Sequence, residues 1–199
     1  MWWLAVGVIC GLILVYMYDD TLRIVAPDGI TYGVVPGVST AQSAETLAFI
    51  NAFLIDVMRH LREKYIFREG GDKSFSYPTD DTPREFVERL VRYYDPEVIR
   101  EHIPRGTTNT SYVINKGSEV VFCLKSSGSF EDRSTLQFVA LHELTHIGTL
   151  SYGHEADFWE NFKFMLKEAQ EAGLYQPINY AAQPATYCGL HLDYNPLFG

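Results

Sequence analysis

The stretch HELTHIGTLSYGHEADFW, His142 to Trp159, holds three of the chain's six histidines. His142 and His146 stand four apart, about one helical turn, so on a helix both side chains leave the same face. The neighbouring residues predict that helix. Apolar positions recur at helical spacing through FVALHELTH, Asp132 or Ser134 supplies a cap, and Gly148 marks the end. Two imidazoles placed this way can each give a nitrogen to a zinc ion at about 2.0–2.1 Å. Glu143 is offset around the helix, where its carboxylate can exchange a proton with metal-activated water without being a ligand. His-Glu-x-x-His is for that reason the spacing of zinc-dependent peptidases.

A catalytic zinc takes three protein ligands and keeps a fourth position open. His154 is the expected third ligand, because the loop IGTLSYG after the helix can turn the chain back toward the metal. Glu155 is a local competitor, and Glu160 and Glu168 on the following helix are the carboxylate alternatives. The competing reading is a buried helix whose histidines are hydrogen-bonded and hold no metal. His60, His102 and His191 have no motif around them and read as surface or capping residues. Tyr152, Tyr180 and Tyr187 are candidates to stabilise an oxyanion, and spacing does not choose among them.

Working outward, TLRIVAPDGITYGVV predicts two short strands around a Pro27-Asp28-Gly29 turn. Ser39-Thr40-Ala41-Gln42 reads as a capping box opening a helix over about residues 40–65, and Thr82-Pro83-Arg84-Glu85 as a second one. Asp95-Pro96 opens a further short helix. SYVINKGSEVVFCLK predicts a hairpin around Asn-Lys-Gly, whose edge strand can lie alongside a peptide. A helix over about Glu155–Ala172 closes at Gly173, and the segment from Tyr175 reads as irregular chain laid over the core.

Residues 2–18 contain no charge and would rise about 25 Å as a helix, near the minimum for a bilayer core. Trp2, Trp3, Tyr16 and Tyr18 bracket them as interfacial aromatics do. The absence of a basic n-region and of a small-residue cleavage site argues against a signal peptide. The expectation is a single-pass anchor over 1–20, at a viral or host internal membrane, followed by one domain over 21–199.

The formal net charge is −9, from 16 basic and 25 acidic residues, with no basic block, which gives nucleic-acid binding little support. The cysteines are Cys10, Cys123 and Cys188, with no Cys-x-x-Cys pair. Either Cys123 and Cys188 are bridged or both are buried thiols, and the second is favoured unless the domain lies in an oxidising compartment.

HELTH followed by His154-Glu155-Ala156-Asp157-Phe158-Trp159 resembles the WLM and SprT-like zinc metallopeptidases, firmly over about residues 133–172 and loosely over the preceding hairpin. The Tyr187-Cys188-Gly189 tail is similar to small membrane-anchored versions from large DNA viruses. The resemblance implies a zincin-like α+β domain, with a small antiparallel sheet or hairpin packed on helices. It implies His142, His146 and His154 as zinc ligands and Glu143 as catalytic base and acid. It also implies that Phe158 and Trp159 pack the third-ligand helix onto the first. The expected substrate is a protein or peptide. The alternative is a structural or interaction protein, such as a virion or membrane-assembly component, on the same scaffold. The family's action on DNA-crosslinked proteins is not expected of so acidic a chain.

Overall fold

The Pro27-Asp28-Gly29 turn joins β1 (Leu22–Val25) to β2 (Thr31–Val34) as an antiparallel pair with Leu22 opposite Val34. Asp28 fixes the turn by accepting from the Ile30 N–H, and Gly29 takes a left-handed φ of 83°. The computed structural model describes residues 21–67, 82–104 and 110–199. Its next element is α1 (Thr40–Arg62), which continues as a π-helical turn over Glu63–Phe67. Leu47, Ile50, Leu54, Val57 and Leu61 follow the helical period and are fully buried against the sheet and the neighbouring helices. Ser39 stands at the N-cap but its side chain makes no cap bond, so the expected capping box is absent there; Ser39 Oγ instead accepts from Lys125 Nζ.

The second capping box is present. Thr82 accepts from the Glu85 N–H and Glu85 accepts in return from Thr82, opening α2 (Pro83–Tyr93). After it the expected short helix is reduced to a single turn. Pro96–Val98 forms only a 3₁₀ turn, and Ile99–Glu101 is a strand, β3. Ile99 and Glu101 are both buried in the middle of the sheet. Glu101 resolves its burial by accepting from the Val35 N–H and Ser43 Oγ and pairing with Lys125 Nζ at 3.1 Å. A three-residue strand is too short for its periodicity to show in sequence.

The Asn-Lys-Gly hairpin forms as expected, from β4 (Tyr112–Ile114) to β5 (Glu119–Phe122). Asn115, Lys116 and Gly117 all have positive φ, and a Cβ on Gly117 would lie 2.7 Å from the Tyr93 carbonyl oxygen. The five strands lie in the order β1-β2-β3-β5-β4. β2, β3 and β5 are parallel neighbours and the outer pairs antiparallel, so the sheet is mixed rather than antiparallel throughout. β4 is an edge.

The chain then makes a short hairpin of β6 (Lys125–Ser126) and β7 (Ser129–Phe130) and enters α3 (Arg133–Gly148) and α4 (Ala156–Glu171). α3 packs against α1, α2, α4 and β4. Its last residue, Gly148, lies so close to α2 that a Cβ would meet Phe86 at 2.5 Å and Leu90 at 2.9 Å. The tail, expected to be irregular, contains another hairpin, β8 (Ala185–Tyr187) with β9 (Leu190–Leu192). Its two-residue turn, Cys188-Gly189, has φ of 48° and 85°, matching the twist that tight hairpins require. Cys188 is bridged to Cys123, where two buried thiols were favoured, and this ties the hairpin to the end of β5.

The single-pass membrane location is corrected by this structure. Among the described residues no helix is long and apolar enough to cross a membrane, and residues 1–20, where the anchor was placed, lie outside the described residues.

Candidate metal centre

Asp132 caps α3 by accepting from the N–H groups of Ser134 and Thr135. Apolar residues bury most of the helix surface: Leu136, Phe138, Val139, Ala140, Leu141, Leu144 and Ile147 are all inside. His142 and His146 leave the same side, with their Nε2 atoms 3.2 Å apart. The helix ends at Thr149, whose Oγ donates to the Thr145 carbonyl and accepts from Asn161 of α4.

The loop then turns back. Asp157, in the first turn of α4, accepts from both the N–H and the Oγ of Ser151, at 3.2 and 2.5 Å. Gly153 supplies a left-handed residue with φ of 76°. His154 follows, and its Nε2 comes 2.9 Å from that of His142. Phe158 lies under all three imidazoles, stacked on His146 at 4.3 Å and in contact with His142 at 4.8 Å and His154 at 4.7 Å. Phe158 is fully buried, whereas Trp159 is half-exposed over His154 and Tyr194.

Among the described residues, His142, His146 and His154 form the group suited to a metal ion, with their ligand atoms within 4.8 Å of one another. In a tetrahedral site with bonds of about 2.0–2.1 Å, ligand nitrogens lie about 3.3 Å apart. The observed 2.9 and 3.2 Å are within a few tenths of that spacing. Protonation also fits. Burial, with smaller contributions from its histidine neighbours, drives the His142 pKa well below its usual value. Burial takes His146 down to about 4, helped by His154 and Lys116, and lowers His154 as well. Neutral imidazoles carry the free lone pair that a metal needs.

The carboxylate alternatives are placed elsewhere. Glu168 is buried between α1 and α4, accepting from Lys64 Nζ, Tyr65 OH at 2.7 Å and facing His60 Nε2 at 3.0 Å. Glu155 is the exposed N-cap of α4. Glu155, Glu160 and Glu168 are outside the three-histidine group. His102 stacks edge-on against Tyr112, 5.7 Å away, and His191 sits on β9.

Glu143 is 4% exposed, its Oε2 has no hydrogen-bond partner among the described residues, and burial pushes its carboxyl up to about 8. It lines a cleft of about 270 Å³ together with His142, His146, His154, Tyr152, Ser111 and the edge-strand residues Tyr112 and Val113. The three tyrosines now separate. Tyr152 is 74% exposed at the rim, with Lys116 Nζ 4.6 Å over its ring. Tyr187 is buried and donates to the Cys123 carbonyl. Tyr180 packs on Phe138 at 4.9 Å and does not line the cleft.

Two residues at the site gave no sequence signal beyond their turn or strand. Lys116 reaches from the β4–β5 turn to the end of α3, donating to the carbonyls of His146, Thr149 and Ser151. Ser111 faces the Tyr187 hydroxyl at 2.6 Å and accepts from the Cys123 N–H. Both contacts join segments far apart in sequence.

Comparison with known proteins gives three relatives. Uncharacterized protein R325 of Acanthamoeba polyphaga mimivirus is 30% identical over 142 residues, covering 70% of this chain and 68% of that protein. DNA-dependent metalloprotease WSS1 homolog 2 of Schizosaccharomyces pombe is 30% identical over 101 residues, 49% of this chain and 34% of its own length. Uncharacterized protein 136R of Invertebrate iridescent virus 6 is 36% identical over 69 residues, 33% of this chain and 38% of that protein. No protein-family model matches, and no solved structure does.

Proposed function

The chain belongs to the same family as uncharacterized protein R325 of Acanthamoeba polyphaga mimivirus, and from that premise we propose that it is a zinc-dependent metallopeptidase with a zincin-like, WLM-type domain over 21–199. The observation that carries the reading is the convergence of three imidazoles beside a buried glutamate whose Oε2 has no partner among the described residues. Similarity to the WSS1 homolog supports the reaction class.

His142, His146 and His154 would hold the ion, leaving its remaining side open to the cleft. Zinc bound there would polarise a scissile carbonyl and acidify water beside it. The protein's own residues supply the rest. Strand β4, an edge among the described residues, offers its outer backbone groups to an extended peptide, which would cross the cleft beside α3. Burial alone holds the Glu143 carboxyl protonated, and the positive charge of a bound dication would favour its ionised form, in which it takes the proton of the attacking water and returns it to the leaving amine. Tyr152 stands at the rim, where its hydroxyl can reach a developing oxyanion. DNA dependence, which the yeast relative's name states, is not carried over to a chain of net charge −9.

The test is a comparison of zinc-loaded parent and Glu143→Gln on a casein-type substrate. The variant should retain zinc and lose at least about a hundredfold in rate, the scale of a general base. Equal cleavage by both would remove Glu143 from the mechanism.

A further inference from the structure

A second cavity of about 270 Å³ adjoins the metal cleft and shares Ser111, His142, Glu143 and His154 with it. Its chemistry is different. One wall is Phe138 and Val139, one turn before His142 on α3. The facing wall is Tyr187, Leu190 and Leu192 of the C-terminal hairpin. The Tyr187 hydroxyl is already engaged, donating to the Cys123 carbonyl and in contact with Ser111 Oγ. What remains toward the cavity is largely apolar. Leu190 is 47% exposed, a large aliphatic side chain held at the surface where β9 leaves the two-residue turn.

The hairpin is fastened in place from several directions. Cys188 is bridged to Cys123, its N–H donates to Glu131, and Tyr187 anchors the strand before the turn with 1% exposure. A wall fixed this way is pre-organised, so the cavity needs little reordering on binding. Ligand pockets commonly run from about 300 to 1,000 Å³. A cavity just below that range suits one large side chain rather than a whole ligand. Because the cavity shares His142, Glu143 and His154 with the cleft, a peptide lying in the cleft can place a side chain in it.

We propose that this cavity is a specificity pocket, which takes a large aliphatic or aromatic side chain of the residue next to the scissile bond, with the disulfide-fastened hairpin as its selecting wall. The inference rests on the metallopeptidase reading of the adjoining site. It makes the substrate class a peptide with leucine-, methionine- or phenylalanine-like residues at the cleavage point.

Binding tests it without requiring turnover. Two peptidyl hydroxamates, identical except for an isobutyl or a methyl side chain next to the zinc-binding group, are titrated into the zinc-loaded full chain by calorimetry. The isobutyl probe should bind at least about thirtyfold tighter, as burial of its extra carbons predicts. Leu190→Glu, at an exposed position, should cut that ratio below about fivefold, chiefly by weakening the isobutyl probe. Val139→Trp, which fills the cavity, should do the same. Equal binding of the two probes by the parent overturns the pocket, whether or not the protein cleaves peptides. An undiminished ratio in both variants overturns it too. Failure to load zinc overturns the metal-centre reading and the pocket with it.

Discussion

At the residue scale, the site is a set of groups whose protonation is set by burial, and the signs can be worked out. In the metal-free protein the three histidines have lowered pKa values, His146 at about 4, while unfolded histidines titrate near about 6.5. The unfolded chain therefore binds more protons in that interval, and stability falls as pH drops from about 6.5 toward 4. Glu143 has the opposite sign. Its folded value is raised to about 8, so its contribution is fully present below the unfolded carboxylate value of about 4.5 and is lost as pH rises through 8. The contribution of these four groups peaks near about pH 6.5. Denaturant midpoints of chelator-treated protein, taken from pH 4.5 to 8.5, should trace that peak. Glu143→Gln should abolish the alkaline fall and leave the acid one; an unchanged alkaline limb would mean that Glu143 is not held protonated by its surroundings.

At the element scale, two tethers hold the site together. Lys116 in the β4–β5 turn binds three carbonyls at the end of α3 and in the loop leading to His154. Charged hydrogen bonds of this kind contribute about 1.5–3 kcal/mol. Lys116→Met should lower stability by an amount of that order and weaken zinc retention, as competition with a chromogenic chelator would reveal. Zinc affinity equal to the parent's would show that the loop holds His154 unaided. The second tether is Cys123–Cys188, which closes a separation of 65 residues. Cys123→Ser with Cys188→Ser should cost about 2–4 kcal/mol in chemical denaturation. These contacts explain what the sequence could and could not reveal. His142, Glu143 and His146 are legible because one helix sets their geometry, and the Thr82 capping box because its partners are three apart. β3 escaped because three residues carry no period. The disulfide escaped because pairing depends on where β5 and the tail meet, and Lys116 because a turn lysine gives no hint of the helix end it will cap. His154 lies between these cases: its spacing suggested a ligand, but its arrival depends on the Ser151–Asp157 bonds.

At the scale of the whole molecule, a mixed sheet, one helix that bears His142 and His146, the loop that returns His154 and a fastened tail hairpin bring the histidine cleft, an edge strand and an apolar cavity to one place. From the net charge of −9 we propose that nucleic acid is not part of its action. Fluorescence anisotropy with labelled DNA at low salt should show no salt-sensitive binding; binding that weakens steeply with salt would contradict this. The central claim concerns the metal, and X-ray absorption at the zinc edge of the purified full chain tests it most directly. The account predicts one zinc per chain, with about three imidazole nitrogens at about 2.0–2.1 Å, and one imidazole fewer in His154→Ala. A chain that retains no zinc, or a His154→Ala spectrum identical to the parent's, would contradict it.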